Sequence, residues 1–303
     1  MTNKTYKVTE SSRVDVAYST LANISRSQAT KAIKNGEILV NDKLITSPSF
    51  KVKENDIITY QEIEKEEKTI NKPKDDVKIN FIYQDKDISI INKPRGMVVH
   101  PAPGHNDDTL VNYMMLDQNF NFDEDIDDIR PGIVHRIDKD TSGLLAVANN
   151  VESQAILQNE IREGEFHRCY LALVYGNVPN KRFKIDFPLT RPNHTVRKAM
   201  VDEIKGREAI THCTVLANNG KVTLLKVTLE TGRTHQIRAH LSYIGFPIVG
   251  DPLYGRRKEE VAVKGQALHA YSLSLIHPST FKRVTYYSPI DDYFKYLLRY
   301  FYK

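Results

Sequence analysis

Residues 65–76 read Lys-Glu-Glu-Lys-Thr-Ile-Asn-Lys-Pro-Lys-Asp-Asp. A stretch this charged, broken by a proline, has too little apolar surface to join a core, so it reads as a linker. The 303-residue chain is therefore expected to fold as a small section, 1–62, a linker, 63–76, and a large section, 77–303. The small section is modestly basic, with nine Lys/Arg against six Asp/Glu over residues 1–60. The chain as a whole carries a net charge of +5, which permits nucleic-acid binding without demonstrating it. Its two cysteines, Cys169 and Cys213, make no disulfide framework, and free thiols in a cytoplasmic protein are expected. The first residues lack the apolar core of a signal peptide. No run approaches the ~20 apolar residues of a membrane span.

The large section reads as strands with inserted helices. Ser89–Asn92, Leu144–Ala148 and Tyr170–Tyr175 are short apolar runs bounded by turn residues, and Val222–Leu229 is β-branched and alternating. Ser153–Gln158 and His235–Leu241 suit helices, and Tyr293–Phe301 has the apolar spacing of a helix that closes a core. Many strands with scattered helices point to an α+β domain around a mixed or antiparallel sheet. In the small section, Ser25 caps a helix that Gly36 ends, with Ala29, Ala32 and Ile33 on its apolar face. Arg26, Lys31 and Lys34 project from it as cations. A hairpin, Ile38–Asn41 turning at Asp42–Lys43 into Leu44–Ile45, and a last strand, Asp56–Tyr60, follow. Such a helix above a small sheet can grip phosphates without reading bases.

The densest chemistry lies in His135-Arg136-Ile137-Asp138-Lys139-Asp140-Thr141-Ser142-Gly143-Leu144-Leu145. One carboxylate, Asp138, stands between an apolar approach, Pro131–Val134, read as a strand, and a Thr-Ser-Gly turn. This stretch resembles the signature of the RluA-type (RluD-like) RNA pseudouridine synthases, with Ile137 for the usual Leu. Four more stretches match that family in order. They are Asn92–Pro101 with Thr109–Asn112, Tyr170–Val174, Thr231–His240, and Gly250–Gly255, with Leu268–Ala270 and His277–Pro278 closing. Two departures stand out: Asp108 replaces a Gly, and Arg168 replaces a Lys. The small section, through Arg13–Asp15, Ser25–Ala29 and Gly36–Asn41, resembles the ribosomal-protein-S4-like RNA-binding domain.

The resemblance implies a pseudouridine synthase catalytic fold, a mixed or antiparallel sheet with flanking helices, preceded by a small α+β RNA-binding domain. It implies an isomerase that needs no cofactor and converts specific uridines to pseudouridine. The substrate it favours is large-subunit ribosomal RNA or a pre-ribosomal particle, with transfer RNA and a non-catalytic assembly role as alternatives. Breaking the bond between uracil and ribose without a cofactor calls for a nucleophile, or for a base that takes a proton from the sugar. A carboxylate can do either, and Asp138 is the candidate. A carboxylate in a water-poor pocket needs a fixed cation to stay ionised. Arg238 is the candidate, with Arg233 as runner-up or as a phosphate contact. Tyr170 is expected to pack on the flipped uracil, and Arg136 to enter the space the uridine leaves. Arg26, Lys31 and Lys34 are the expected RNA contacts of the small domain, with Arg13 structural.

No metal site is expected. His235 and His240 are five apart and miss the i, i+4 face of a zinc helix. The acidic cluster Asp123, Glu124, Asp125, Asp127 and Asp128 lacks the Gly and distant Glu of a calcium loop, so it reads as solvated. No phosphate-binding Gly-x-x-x-x-Gly-Lys-Ser/Thr run is present. The chain is expected to act as a monomer.

Overall fold

A computed structural model describes residues 3–61, 77–102, 104–116, 131–191, 198–255, 258 and 261–303. The chain divides into two compact units, Met1–Lys68 and Thr69–Lys303. The expected linker, 63–76, and the acidic cluster at 123–128 lie outside the described residues.

In the first unit an antiparallel sheet orders its strands Asn3–Lys7, Ile57–Gln61, Ile38–Val40 and Lys43–Leu44. Helices Val14–Leu21 and Arg26–Lys34 accompany it. The second helix starts as its sequence demands. Ser25 Oγ accepts from the Gln28 amide at 3.2 Å, and the Gln28 side chain accepts from the Ser25 amide at 2.8 Å. This capping box satisfies two amides that a helix start otherwise leaves bare. Ser25→Ala is expected to destabilise this unit by about 1 kcal/mol, read as a lower urea midpoint at unchanged slope. Ala29 and Ile33 are fully buried, and with Val14, Ile38 and Ile58 they form this unit's own core. The hairpin turn falls one residue earlier than expected. Val40 pairs with Lys43, so Asn41 and Asp42 make the two-residue turn, with φ of 49° and 62°. A tight hairpin needs φ above zero at both central positions, and Asn and Asp tolerate it where Lys does not.

The second unit is built on a nine-stranded sheet. Its order is Arg182–Asp186, Ile210–Asn218, Val222–Leu229, His167–Tyr175, Leu268–Ile276, Ser142–Ala148, Ile88–Lys93 and Phe81–Gln84, with Arg283–Tyr287 added alongside Leu268–Ile276. Every pairing is antiparallel except Leu268–Ile276 with Ser142–Ala148. The sheet is mixed and the fold is α+β.

Ser142–Ala148 is buried along its whole length because both faces of the sheet are covered. Leu145 and Val147 enter one core with Tyr170, Leu173 and Phe294. Leu144, Ala146 and Ala148 enter another with Leu157, Phe166 and Leu273. This is the two-residue period of a strand that reads as a continuous apolar run. The helix Asp292–Phe301, capped by Asp291 on the Phe294 amide at 2.8 Å, closes the first core with Phe294 and Leu297, both fully buried.

Candidate active site

The approach to Asp138 is not a strand. Residues 134–138 are irregular, and Ile133 makes only an isolated bridge to Val147. The reason is that one carbonyl and one imidazole take up the edge of Ser142–Ala148 in place of a regular ladder. Gly132 O accepts from the Ala148 amide at 2.9 Å, and His135 Nε2 accepts from the Ala146 amide at 2.9 Å. Asp138 thus ends an extended segment pinned along a buried strand. Its carbonyl accepts from the Thr141 amide at 3.0 Å, closing the turn. Gly143, at φ of 104°, follows because the carbonyl of Ala270 occupies the space a Cβ would take.

A second support comes from Asn92–Gly96. Lys93 is fully buried, and its Nζ donates to the carbonyls of Pro94 at 2.8 Å, Met97 at 2.8 Å and Lys139 at 3.0 Å. Burial, and then the charge of Arg95, push this ammonium down to about 7. Arg95 Nη1 donates to the carbonyls of Asp140 and Gln266. Two cations of one motif therefore hold the turn that carries Asp138.

Arg238 brings the opposite charge. It lies on the helix Gln236–Tyr243, which starts at His235 with φ of 55°. Gln236 fixes the preceding loop, accepting from Thr231 Oγ1 and the Arg233 amide at 2.9 Å each and donating to Ile210 O and Thr211 Oγ1 at 3.0 Å each. Arg238 Nη1 donates to Asp138 Oδ2 at 2.8 Å. Its Nε and Nη2 donate bidentately to Asp251 at 2.7 and 2.9 Å, and Tyr254 lies 5.2 Å from its guanidinium carbon. Burial opposes the charge of Arg238, but Asp251 and Asp138 outweigh it and push the guanidinium up. Asp251 Oδ1 also accepts from the amides of Leu253 and Tyr254 at 2.9 and 3.0 Å. The Arg238 side chain is 4% exposed and that of Asp251 is 0% exposed, against 20% for Asp138. Only Asp138 faces solvent.

Asp138 opens into a cleft of about 770 Å³ with Tyr170, Arg136, Arg168, Arg233 and His235 in its walls. Burial pushes the Tyr170 hydroxyl up, so the phenol stays protonated at neutral pH. Burial likewise pushes His235 down; its Nε2, 3.7 Å from Asp138 Oδ1, adds no ion pair at neutral pH. Arg233 does not join Asp138; its Nε donates to Glu208 O at 2.9 Å. Arg136 is exposed, with Nη1 3.0 Å from His100 Nε2. Asp108 accounts for its departure from the family pattern by pairing with His105 Nδ1 at 2.7 Å.

The remaining site candidates lie in the first unit. Lys31 and Lys34 are exposed. Arg26 is shared with Asp15, which it contacts at 3.0 Å, while Arg13 holds the same carboxylate at 2.9 and 3.0 Å. Burial raises Asp15, but the two guanidiniums outweigh it and hold the carboxylate below its ordinary value. Asp85, Asp87 and His277 offer ligand atoms within 4.8 Å of one another. Hydrogen bonds already engage Asp85, from Tyr83 and His277 at Oδ2 and from two backbone amides at Oδ1. Both cysteines are free and buried. No helix among the described residues is long and apolar enough to cross a membrane.

The sequence reading missed Asp251, although it singled out Gly250–Gly255 as a motif. The buried histidines give a pH dependence. Burial pushes His135 from 6.5 to about 3 and His269 from 6.5 to about 4. Both are neutral when folded at pH 7. Unfolding frees them to bind protons below about pH 6.5, so stability is expected to fall as pH drops from there. The loss is about 2 kcal/mol for each ring at pH 5. Urea unfolding at pH 7 and 5 measures it, and His135→Asn should reduce the slope.

The comparisons with known proteins speak to the family and the fold. The family described as RNA pseudouridylate synthase matches residues 87–243, and the S4 domain matches residues 13–58. A Bacillus subtilis (strain 168) protein named "Uncharacterized RNA pseudouridine synthase YlyB" is 41% identical over 273 residues, covering 88% of this chain and 86% of that protein. "Ribosomal large subunit pseudouridine synthase D" of Zymomonas mobilis is 37% identical, covering 90% of this chain and 89% of that protein. The solved structure of "Human RNA Pseudouridylate Synthase Domain Containing 1" superposes with a TM-score of 0.56 at 25% identity, over 73% of this chain and 86% of that one. With a matching family over more than half its length and relatives along nearly all of it, this chain belongs to the RNA pseudouridylate synthases, isomerases that act on RNA.

Proposed function

We propose that this enzyme isomerises specific uridines of large-subunit ribosomal RNA, free or in a pre-ribosomal particle, and that Asp138 is the group that attacks. The observation that carries the reading is the buried chain Asp251–Arg238–Asp138, which ends in one accessible carboxylate at the floor of a cleft. A guanidinium fixed beside a carboxylate favours its ionised form. Asp251 occupies the Nε and Nη2 edge of Arg238 and leaves Nη1 for Asp138, so the cation is oriented before substrate arrives.

The target uridine must leave its stack to reach Asp138. Tyr170, protonated and buried, suits packing against the uracil and donating a hydrogen bond rather than acting as a base. Arg136, exposed at the rim, suits the gap left in the RNA. Large-subunit RNA is favoured by the names of the Zymomonas mobilis and Vibrio cholerae relatives, each 37% identical over 92% or less of this chain. Such a substrate puts the reaction in the cytoplasm. Mapping pseudouridines in ribosomal and transfer RNA from a strain lacking this protein tests the reading. Loss of a large-subunit site is expected, and loss confined to transfer RNA would overturn that choice.

The helix Arg26–Lys34 is read as a phosphate contact of the small domain. Removing residues 1–60 is expected to weaken RNA binding and flatten its dependence on salt, because fewer counterions are released. Titrations of labelled ribosomal RNA at several salt concentrations measure this, and an unchanged slope would mean that the small domain does not meet phosphates.

A further inference from the structure

We propose that Arg168 binds a backbone phosphate of the substrate RNA next to the reacting uridine. This deepens the function proposed above and rests on reading the cleft as the uridine site. Arg168 lies on His167–Tyr175, two residues before Tyr170. Strand geometry sets the two Cα atoms roughly 6.6 Å apart, and both side chains line the cleft that holds Asp138.

The guanidinium is a charge without a protein partner. Among the described residues no carboxylate reaches it within ion-pair distance and no acceptor takes its N–H groups, while its Nε is buried and unsatisfied. Its nearest ring, Phe166, is 6.0 Å away. The other arginines around Asp138 are engaged: Arg238 by two carboxylates, Arg233 by a carbonyl, Arg136 by His100. Arg168 is half-buried with its Nε shielded from water and unsatisfied; a polar group so shielded costs free energy until it is paired, and an arriving anion offsets that cost. A phosphate matches the planar fork of Arg.

A second, independent observation is that the loop following the neighbouring strand makes room for this group. A Cβ on Gly232 would lie 2.7 Å from Arg168 Nη1, and the three heavy atoms nearest to it all belong to the Arg168 side chain. Gly232 is not held at positive φ, so space for the guanidinium accounts for the glycine. The loop Thr231–Thr234 and the strand end at Arg168 thus form a slot beside the base position.

The probe is an in vitro transcript of large-subunit ribosomal RNA. Binding is titrated at several salt concentrations, and isomerisation is followed by tritium release. Arg168→Met is expected to lower the salt slope of binding by about 0.7 to 0.9, the value for one phosphate contact, and to raise KM. Arg168→Lys should keep the slope, because the charge persists. Gly232→Ala should displace the guanidinium cheaply, reproducing the Arg168→Met slope at a wild-type melting temperature, and should add little in the Arg168→Met background. An unchanged slope in Arg168→Met overturns the proposal. So does a loss of kcat alone at unchanged slope, which would put the guanidinium on the uracil. Gly232→Ala that folds and binds as wild type overturns it as well. Wild-type protein that binds the transcript with the full slope yet releases no tritium would instead refute free large-subunit RNA as the substrate, and the Arg168 slope would still decide the phosphate contact.

Discussion

Purified Asp138→Asn is expected to form no pseudouridine while binding RNA within about tenfold of wild type, a difference of ~1.4 kcal/mol. The amide keeps the size and shape of the side chain, so the cleft and its arginines stay in place. It loses the negative charge that pairs with Arg238 Nη1 at 2.8 Å, and with it the nucleophile proposed above. Asp138 is 20% exposed and Arg238 retains Asp251, so the fold does not depend on the lost pair. Single-turnover tritium release, with enzyme in excess over RNA, measures the chemical step. Turnover by a preparation shown free of deamidated protein would remove Asp138 from the attacking role.

Arg238→Met is expected to cost both activity and stability. Two of the three guanidinium nitrogens hold Asp251, whose side chain is 0% exposed, and removing one member of such a buried pair destabilises by about 3–5 kcal/mol. The two losses can be separated. Arg238→Met combined with Asp251→Asn should recover part of the stability, because the amide no longer buries a charge, and should recover no activity, because Asp138 still lacks its cation. This non-additivity is the signature of direct contact. Arg238→Lys should fall between, since one ammonium cannot serve both carboxylates as a planar fork does. Urea unfolding and single-turnover rates on the same proteins check each part. A stable Arg238→Met with the wild-type rate would refute the ion-pair role.

What could be read from the chain was local. The apolar run at Leu144–Ala148, the Ser25 cap, the alternating Val222–Leu229 and the ordered motifs lie in contiguous residues whose period and turn chemistry depend on near neighbours. They carried the α+β fold, the family and Asp138. Apart from the hairpin turn at Asn41–Asp42, which local turn chemistry sets, the reading fell short where long-range contacts had replaced a local rule. The segment before Asp138 looks like a strand in its residues, yet His135 and Gly132 spend the edge of Ser142–Ala148 on hydrogen bonds outside a regular ladder. Arg26 looks like a free cation on a short helix, yet the buried Asp15, 11 residues earlier, claims part of it.

The choice between Arg238 and Arg233 was likewise not a property of their shared motif. They are five residues apart on one loop and helix, and only packing decides that one meets Asp138, 100 residues earlier in the chain, while the other turns to Glu208 O. Sequence by itself thus determined most of the elements and the family they belong to, and it singled out Asp138 as the candidate carboxylate. Tertiary structure decided which charges are paired: Asp251 behind Arg238, three carbonyls around Lys93 and, among the described residues, no partner for Arg168. Pairing of charges depends on burial and on the meeting of distant segments, and neither is encoded in the spacing of nearby residues.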